Sequence, residues 1–431
     1  MANPPVLPAL CQGPNAFNKP KCAFCLPLGC KNLPTRKVDT CPGPNPPANR
    51  ADLLAARCAA CAGRINLLAR RQSISNMLGA TVPTTGLQLE AAWTQRVVTI
   101  VENLYDDYFQ GNEPCAYTFC LTGSGARKEA CPYSDIDCFI VVETGASAGD
   151  ITALATASKH VRERLVDMNW HGAGPEQDKG FVFCIGGLNP EGWNSVGTPP
   201  QRLIDKPHEL AGVLEANLDT TSQAMAHVVS GLQEADFGFG DQQLFTDFQR
   251  EIDLIVGKTC LKMASRPLLT LKKRQGMETV RDAVTNPEFD IPDPNGNRFN
   301  IKKGFYRLPQ FLSKGLAWYY GIASVRTLDQ ISALQTGNRL SDSNARHFIN
   351  AINKAGKVRV KSHLHAQKES DWVRSAANAD PNPDNEYVLT ANELADLKDA
   401  IKSLTKLKDL GTDFIGQKEK FIGKRRNPFA A

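Results

Sequence analysis

The chain has 431 residues, too many for one ordinary domain, so two or three are expected. With 42% apolar and 22% charged residues and a net charge of +5, it reads as a globular protein whose charge does not by itself point to nucleic acid. The longest apolar runs, such as Cys138–Val142, fall far short of a membrane span, and Met1-Ala-Asn-Pro-Pro lacks the pattern of a secretory signal. A cytoplasmic site of action is therefore expected, with export by a route independent of a signal peptide as the alternative.

The first 84 residues form a distinct segment, read as an irregular arm or small module followed by a helix. Seven of the 13 cysteines fall within the first 61 residues, and prolines crowd the same stretch. Two pairs have CxxC spacing, Cys22–Cys25 and Cys58–Cys61. Four thiolates so spaced could hold a structural zinc; disulfides and unliganded thiols are the other readings. Apolar spacing predicts a helix over 51–75, and Val82–Gly86 reads as a linker. A second unit, 85–219, opens with an amphipathic helix over 89–109. A short apolar strand follows at 117–122, broken by Gly123–Gly125, then a strand at 137–142, a helix at 150–167 and a strand at 181–185. From about Pro207 the pattern is helical, over 243–261, 307–320, 327–334, 343–365 and 391–407, with Ser341 and Thr390 where N-caps belong. This predicts an α+β protein: a small mixed-sheet domain packed on an α-helical domain at 220–431. Basic clusters at 272–274, 302–303 and 424–426 are either phosphate contacts or solvated faces.

The informative stretch is Gly123-Ser124-Gly125-Ala126-Arg127, then Ser134-Asp135-Ile136-Asp137 running into a strand. Alternate side chains of a strand share a face, so Asp135 and Asp137 project together. Two like charges side by side are costly unless a cation neutralises them, and hard oxygen ligands at a strand end suit Mg²⁺ or Mn²⁺. Glycine lets the backbone approach a ligand closely. Main-chain N–H groups at Gly123, the Ser124 hydroxyl and the fork of Arg127 could then hold a triphosphate. Neither a Walker loop nor a dinucleotide fingerprint is present. The parts suit transfer of an NMP group from an NTP.

These residues resemble the DNA polymerase beta-like nucleotidyltransferase superfamily, whose motif reads approximately GSxAR…SDxD. Within it the likeness is to the protein-PII uridylyltransferases and a sister group of signal-transduction nucleotidyltransferases. Gly180–Trp193, with Cys184, Gly186, Gly187 and Asn189, is similar to the sister group's Cys-x-Gly-Gly segment. Ile301–Leu308, Gly321–Leu328, Arg359–His363 and Leu389–Lys398 resemble its helical half. The resemblance implies a nucleotide in the cleft between the domains, with Ser134 and Lys302 joining Gly123, Ser124 and Arg127 around it. It also implies a third carboxylate, for which Asp219 is the candidate and Asp205 and Glu215 are rivals. Cys184 and Trp193 read more simply as packed residues, and His363 as structural. No metal-dependent HD pair like that of the uridylyltransferases is found. The acceptor is then a protein hydroxyl, modified with UMP or AMP from UTP or ATP. The alternatives are RNA 3′ ends, or an interbacterial effector with an immunity protein, a chaperone or delivery machinery as partners. A non-enzymatic nucleotide-binding scaffold is the remaining reading.

Overall fold

The computed structural model describes residues 67–79, 84–168, 170, 183–185, 203–218, 223–263, 266–375 and 386–423. Cys22, Cys25, Cys58 and Cys61, with most of the arm, lie outside the described residues, as do Asp219 and Trp193. Helix α1 covers 67–78. Helix α2, Gly86–Phe109, opens on a capping box: Thr85 accepts from the Gln88 N–H while the Gln88 side chain accepts from the Thr85 N–H. Strands β1 (Tyr117–Leu121) and β2 (Ile136–Val142) pair antiparallel. The short helix α3 (Gly123–Ala126) sits between them. Helix α4 (Ala148–Asp167) then crosses to β3 (Phe183–Ile185), and β4 is Ile204–Asp205. Both β3 and β4 pair parallel with β2, one beyond the other along its edge. Helices α5 (Pro207–Ala216) and α6 (Gln223–Gln233) lead to β5 (Asp236–Gly240), which pairs antiparallel with β1.

Strand alternation divides the sheet's two faces. Phe119, Leu121, Ile136, Cys138, Ile140 and Val142 pack with Trp93, Val97 and Tyr105 of α2 and Leu154 and Val161 of α4. Cys120, Phe139 and Val141 face the other way, onto Leu210 and Leu214 of α5 and onto Phe248 and Ile252 of α7 (Gln242–Val256). A central strand covered on both faces reads as a continuous apolar run, which is why Cys138–Val142 shows no alternation. Asp137 shares the parity of Phe139 and Val141, so it emerges near the strand's start on the α5–α7 side, and Asp135 lies one residue before β2.

The segment after 207 is less uniformly helical than its periodicity predicts. Strand β5 lies inside the stretch read as helical, and its two glycines sit so close to β1 that a side chain at either has no room. A Cβ on Gly238 would stand 2.8 Å from the Phe119 carbonyl oxygen, and Gly240 has φ +97°. The predicted boundary at 219 therefore falls before the last strand of the sheet. Helix α7 stops at Val256, short of the expected 261, and a hairpin of β6 (Thr259–Met263) and β7 (Arg266–Thr270) follows. A second small sheet joins β8 (Arg298–Asn300), β9 (Trp372–Arg374) and β10 (Tyr387–Val388).

The helical domain contains α8 (Leu271–Thr285), α9 (Arg307–Tyr320), α10 (Thr327–Thr336), α11 (Asp342–Ala366) and α12 (Ala391–Gly423), around a core that includes Phe299, Phe305, Leu312, Phe348 and Leu404. Ser341 caps α11 by accepting from the Asn344 N–H. Thr390 and Glu393 exchange the reciprocal bonds of a capping box. Helices α8 and α9 touch backbone to backbone, since a Cβ on Gly276 would lie 2.6 Å from the Gly315 carbonyl oxygen. Gly276→Val is expected to cost about 3 kcal/mol through forced separation of the two helices, read as a lowered melting temperature. Among the described residues no helix is long and apolar enough to cross a membrane.

The two domains meet where α2 crosses α11, at Gly86 and Gly356. Just beyond, Glu90 is fully buried and accepts from the Tyr306 hydroxyl at 2.6 Å and the Cys131 thiol at 3.3 Å. Burial pushes its carboxyl up from 4.5 to about 8, with Arg359 opposing. A folded-state pKa above the unfolded one means that the native state holds an extra proton between these values. The stabilisation is complete below about pH 4.5 and is lost as pH rises through about 8. Glu90→Gln keeps the shape and is expected to flatten that alkaline decline, measured by chemical denaturation at stepped pH.

Candidate active site

The turn after β1 is built against Asp137. The Thr122 N–H donates to the Asp137 carbonyl at 2.9 Å. Gly123 follows with φ +55°, and a Cβ there would lie 2.6 Å from Asp137 Oδ2. Only glycine fits both the backbone angle and the contact. Ser124 follows, half-buried at the start of the same short turn, and its carbonyl accepts from the Glu129 N–H at 2.8 Å. The sequence places the Gly-Ser pair beside the Asp-x-Asp pair, and the fold brings them together.

Asp135 and Asp137 are both half-buried. Burial raises the Asp135 carboxyl well above its usual range, the neighbouring Asp137 and then Glu369 raise it further, and Lys302 pulls the other way. Two crowded carboxylates offering hard oxygens, with a side-chain-free residue packed on one of them, fit a divalent magnesium-like cation. Among the described residues no three His, Cys, Asp or Glu side chains converge as a complete metal set.

Of the rival third carboxylates, Asp205 pairs with Val141, four residues along β2 from Asp137, and its Oδ1 accepts from the Lys206 N–H. At about 3.3 Å per residue this is roughly 13 Å from Asp137 along the strand. Glu215 is exposed on α5 and pairs with Lys258. Asp205 therefore lies away from the aspartate pair along the strand. Cys184 lies opposite Asp137 in the β2–β3 register, and its side chain is outside the described residues.

Lys302 enters from the helical domain. It stands in a π-helical turn, Lys302–Tyr306, directly before α9. Its ammonium is 3.2 Å from Glu369 and 3.8 Å from Asp371. Burial would lower its pKa, but Asp371, Glu369 and Asp135 outweigh burial and raise it. Glu369 and Asp371 were not singled out in the sequence. They carry no motif, and only the return of α11 toward the sheet brings them near Asp135. Lys303 pairs instead with Glu288, away from the site.

Arg127 is tied to two carboxylates, and Ser134 is placed differently from the sequence expectation. The Arg127 fork is held by Glu129 at 2.9 Å and Glu234 at 3.6 Å. Glu234 also binds Lys314 of α9 at 2.6 Å, and Gln310 donates to Glu129. Burial opposes the Arg127 charge, but Glu129 and Glu234 hold its pKa above the usual value. Arg127 therefore braces the turn through Glu129 and Glu234, and its charge also reaches Asp137. Ser134 is buried; its hydroxyl accepts from the Cys131 N–H at 3.3 Å and its carbonyl accepts from the Trp170 indole at 2.7 Å. Its buried hydroxyl closes the turn that precedes Asp135.

Two family models match the chain. "Putative nucleotidyltransferase DUF294" matches residues 68–174, and "Putative nucleotidyltransferase substrate binding domain" matches residues 271–413. The first match contains Gly123, Ser124, Asp135 and Asp137; the second contains Lys302, Glu369 and Asp371. No curated protein matches the chain. The two matches occur in order and together span more than half of the sequence, so the chain belongs to the nucleotidyltransferase superfamily, in the family that these paired models describe.

Proposed function

We propose that this chain is a magnesium-dependent nucleotidyltransferase that moves an NMP group from an NTP to a hydroxyl of a protein acceptor. The observation that carries the reading is the contact of Gly123 with Asp137, which puts the Gly-Ser turn and the crowded carboxylate pair in one place. Magnesium, when bound, would draw charge from the phosphate oxygens and from the attacking oxygen. Asp135 and Asp137 would hold the metal, with Asp219 as the proposed third carboxylate. The Gly123–Ser124 turn offers N–H groups and a hydroxyl to the triphosphate, and Lys302 brings a positive charge from the helical domain.

The acceptor oxygen attacks the α-phosphorus and forms a new P–O bond. The bond from the α-phosphorus to the bridging oxygen breaks, pyrophosphate leaves, and the hydroxyl proton passes to a carboxylate or to water. UTP and ATP are the proposed donors. The acceptor is proposed to be a protein because the resemblance runs to the protein-PII uridylyltransferases. The name of the second family model, a substrate-binding domain, supports placing acceptor recognition on the helical half.

The test is incubation of the full chain with each α-labelled NTP, Mg²⁺ and a cell lysate. Label is expected on a protein band, to vanish on chelation with EDTA, and to return with added Mg²⁺. Label on RNA instead contradicts the protein acceptor. Transfer that persists after chelation contradicts the metal requirement.

A further inference from the structure

The loop that delivers Asp135 is gripped from the other domain. Two of its main-chain carbonyls, at Glu129 and Pro132, meet α11. Arg359 Nη1 donates to the Glu129 carbonyl at 3.4 Å, and His363 Nδ1 lies 2.5 Å from the Pro132 carbonyl. Both side chains are buried, Arg359 at 3% exposure and His363 at 0%. Their far sides converge on one carboxylate: Asp371 Oδ1 is 2.8 Å from Arg359 Nε and 3.3 Å from His363 Nε2. Asp371 Oδ2 lies 3.8 Å from Lys302, the cation whose charge also reaches Asp135.

Asp371 is itself fixed. Its carbonyl accepts from the Ile301 N–H at 2.7 Å, and β9 begins at the next residue. Ile301 leads into the π-helical turn, a local widening of the kind that often marks functional positions. Through that turn Lys302 is set toward Asp371 and Tyr306 toward Glu90 of α2. One carboxylate thus holds two grips on the loop backbone and the cation facing the loop's end.

We propose that Asp371 is a positioning residue for Asp135, acting through His363 and Arg359 on the main chain of residues 129–135. The proposal rests on the reading of Asp135 and Asp137 as the reacting site. Its consequence is that the helical domain sets the geometry of the carboxylate pair as well as facing it, so displacing 369–371 shifts Asp135 and lowers turnover. An error of about 1 Å in a reacting group can cost roughly a hundredfold in rate.

The test compares His363→Ala with His363→Asn in the full chain. Asparagine keeps an N–H near the position of Nδ1, so it restores the grip on the Pro132 carbonyl, whereas alanine does not. In the label-transfer assay, His363→Ala is expected to lower kcat at least about tenfold with KM for the NTP within about threefold, and His363→Asn to recover most of the loss. Hydrogen exchange provides a reading independent of activity. The amides of Cys131 and Ser134, which close the turn of the loop, are expected to exchange at least about tenfold faster in His363→Ala and near the wild-type rate in His363→Asn. Asp371→Asn, a volume-conserving change, should reproduce the His363→Ala pattern and stands in for it if that variant does not fold. Unchanged exchange over 129–135 in His363→Ala and Asp371→Asn, or alanine and asparagine variants that behave alike, overturns the proposal. A wild type that transfers no label overturns the functional reading alone, and exchange then decides the positioning role.

Discussion

Asp137→Asn lowers the initial rate of label transfer by about a thousandfold or more, an effect of roughly 4 kcal/mol on the barrier. The substitution keeps the shape of the side chain that touches Gly123 but removes one of two charges available to a cation. The metal-free protein should behave in the opposite sense. Asp135 is held above its usual range by burial and then by Asp137, so the pair is repulsive when the cation is absent. Asp137→Asn should therefore leave the metal-free melting temperature equal to that of wild type or higher, and the melting gain on adding Mg²⁺ should shrink. Loss of activity with a lowered metal-free melting temperature would instead mark Asp137 as a structural residue.

The second large effect is on stability. Arg359→Met should cost about 3–5 kcal/mol, because a buried cation is removed while its carboxylate partner stays buried. Burial alone would raise the Asp371 carboxyl; Arg359, then His363 and Lys302, hold it well below the usual carboxylate range. A depressed folded-state pKa contributes stability that is present above the unfolded value, about 4, and is lost as pH falls below it. Without Arg359 the Asp371 carboxyl moves upward, so that contribution shrinks or reverses. The gap between wild type and Arg359→Met is thus expected to widen from pH 3 to pH 6, by urea denaturation at each pH. A gap independent of pH would show that Arg359 matters through packing alone.

The placement of the Gly-Ser turn beside Asp137 is legible in sequence because it is local. Asp135 and Asp137 lie two apart ahead of an apolar run, and the structure keeps them close enough for each charge to act on the other. The Gly123–Ser124 break also follows from a strand that cannot continue. Helix α9 was legible to the residue, since its apolar spacing and closing Gly321 are contained in its own sequence. What escaped depends on contacts between distant segments. Strand β5, inside a stretch that reads as helical, escaped because Gly238 and Gly240 answer to the closeness of β1, not to their own neighbours. Of the two partners of Arg127, Glu129 is two positions away, but Glu234 is more than a hundred positions away in sequence. Glu369 and Asp371 had no signal, since their meaning arises only where Lys302 and Arg359 converge on them.

On the proposed function, the chain breaks the bond from the α-phosphorus of an NTP to its bridging oxygen at the Asp135–Asp137 pair. The most direct measurement uses ATP and UTP labelled at either the α- or the γ-phosphate, with full-length protein, Mg²⁺ and lysate acceptor. The predicted result is α-label that becomes acid-precipitable, γ-label released as pyrophosphate, and neither with Asp137→Asn. Transfer of γ-label to the acceptor, or α-label incorporation undiminished in Asp137→Asn, would contradict it.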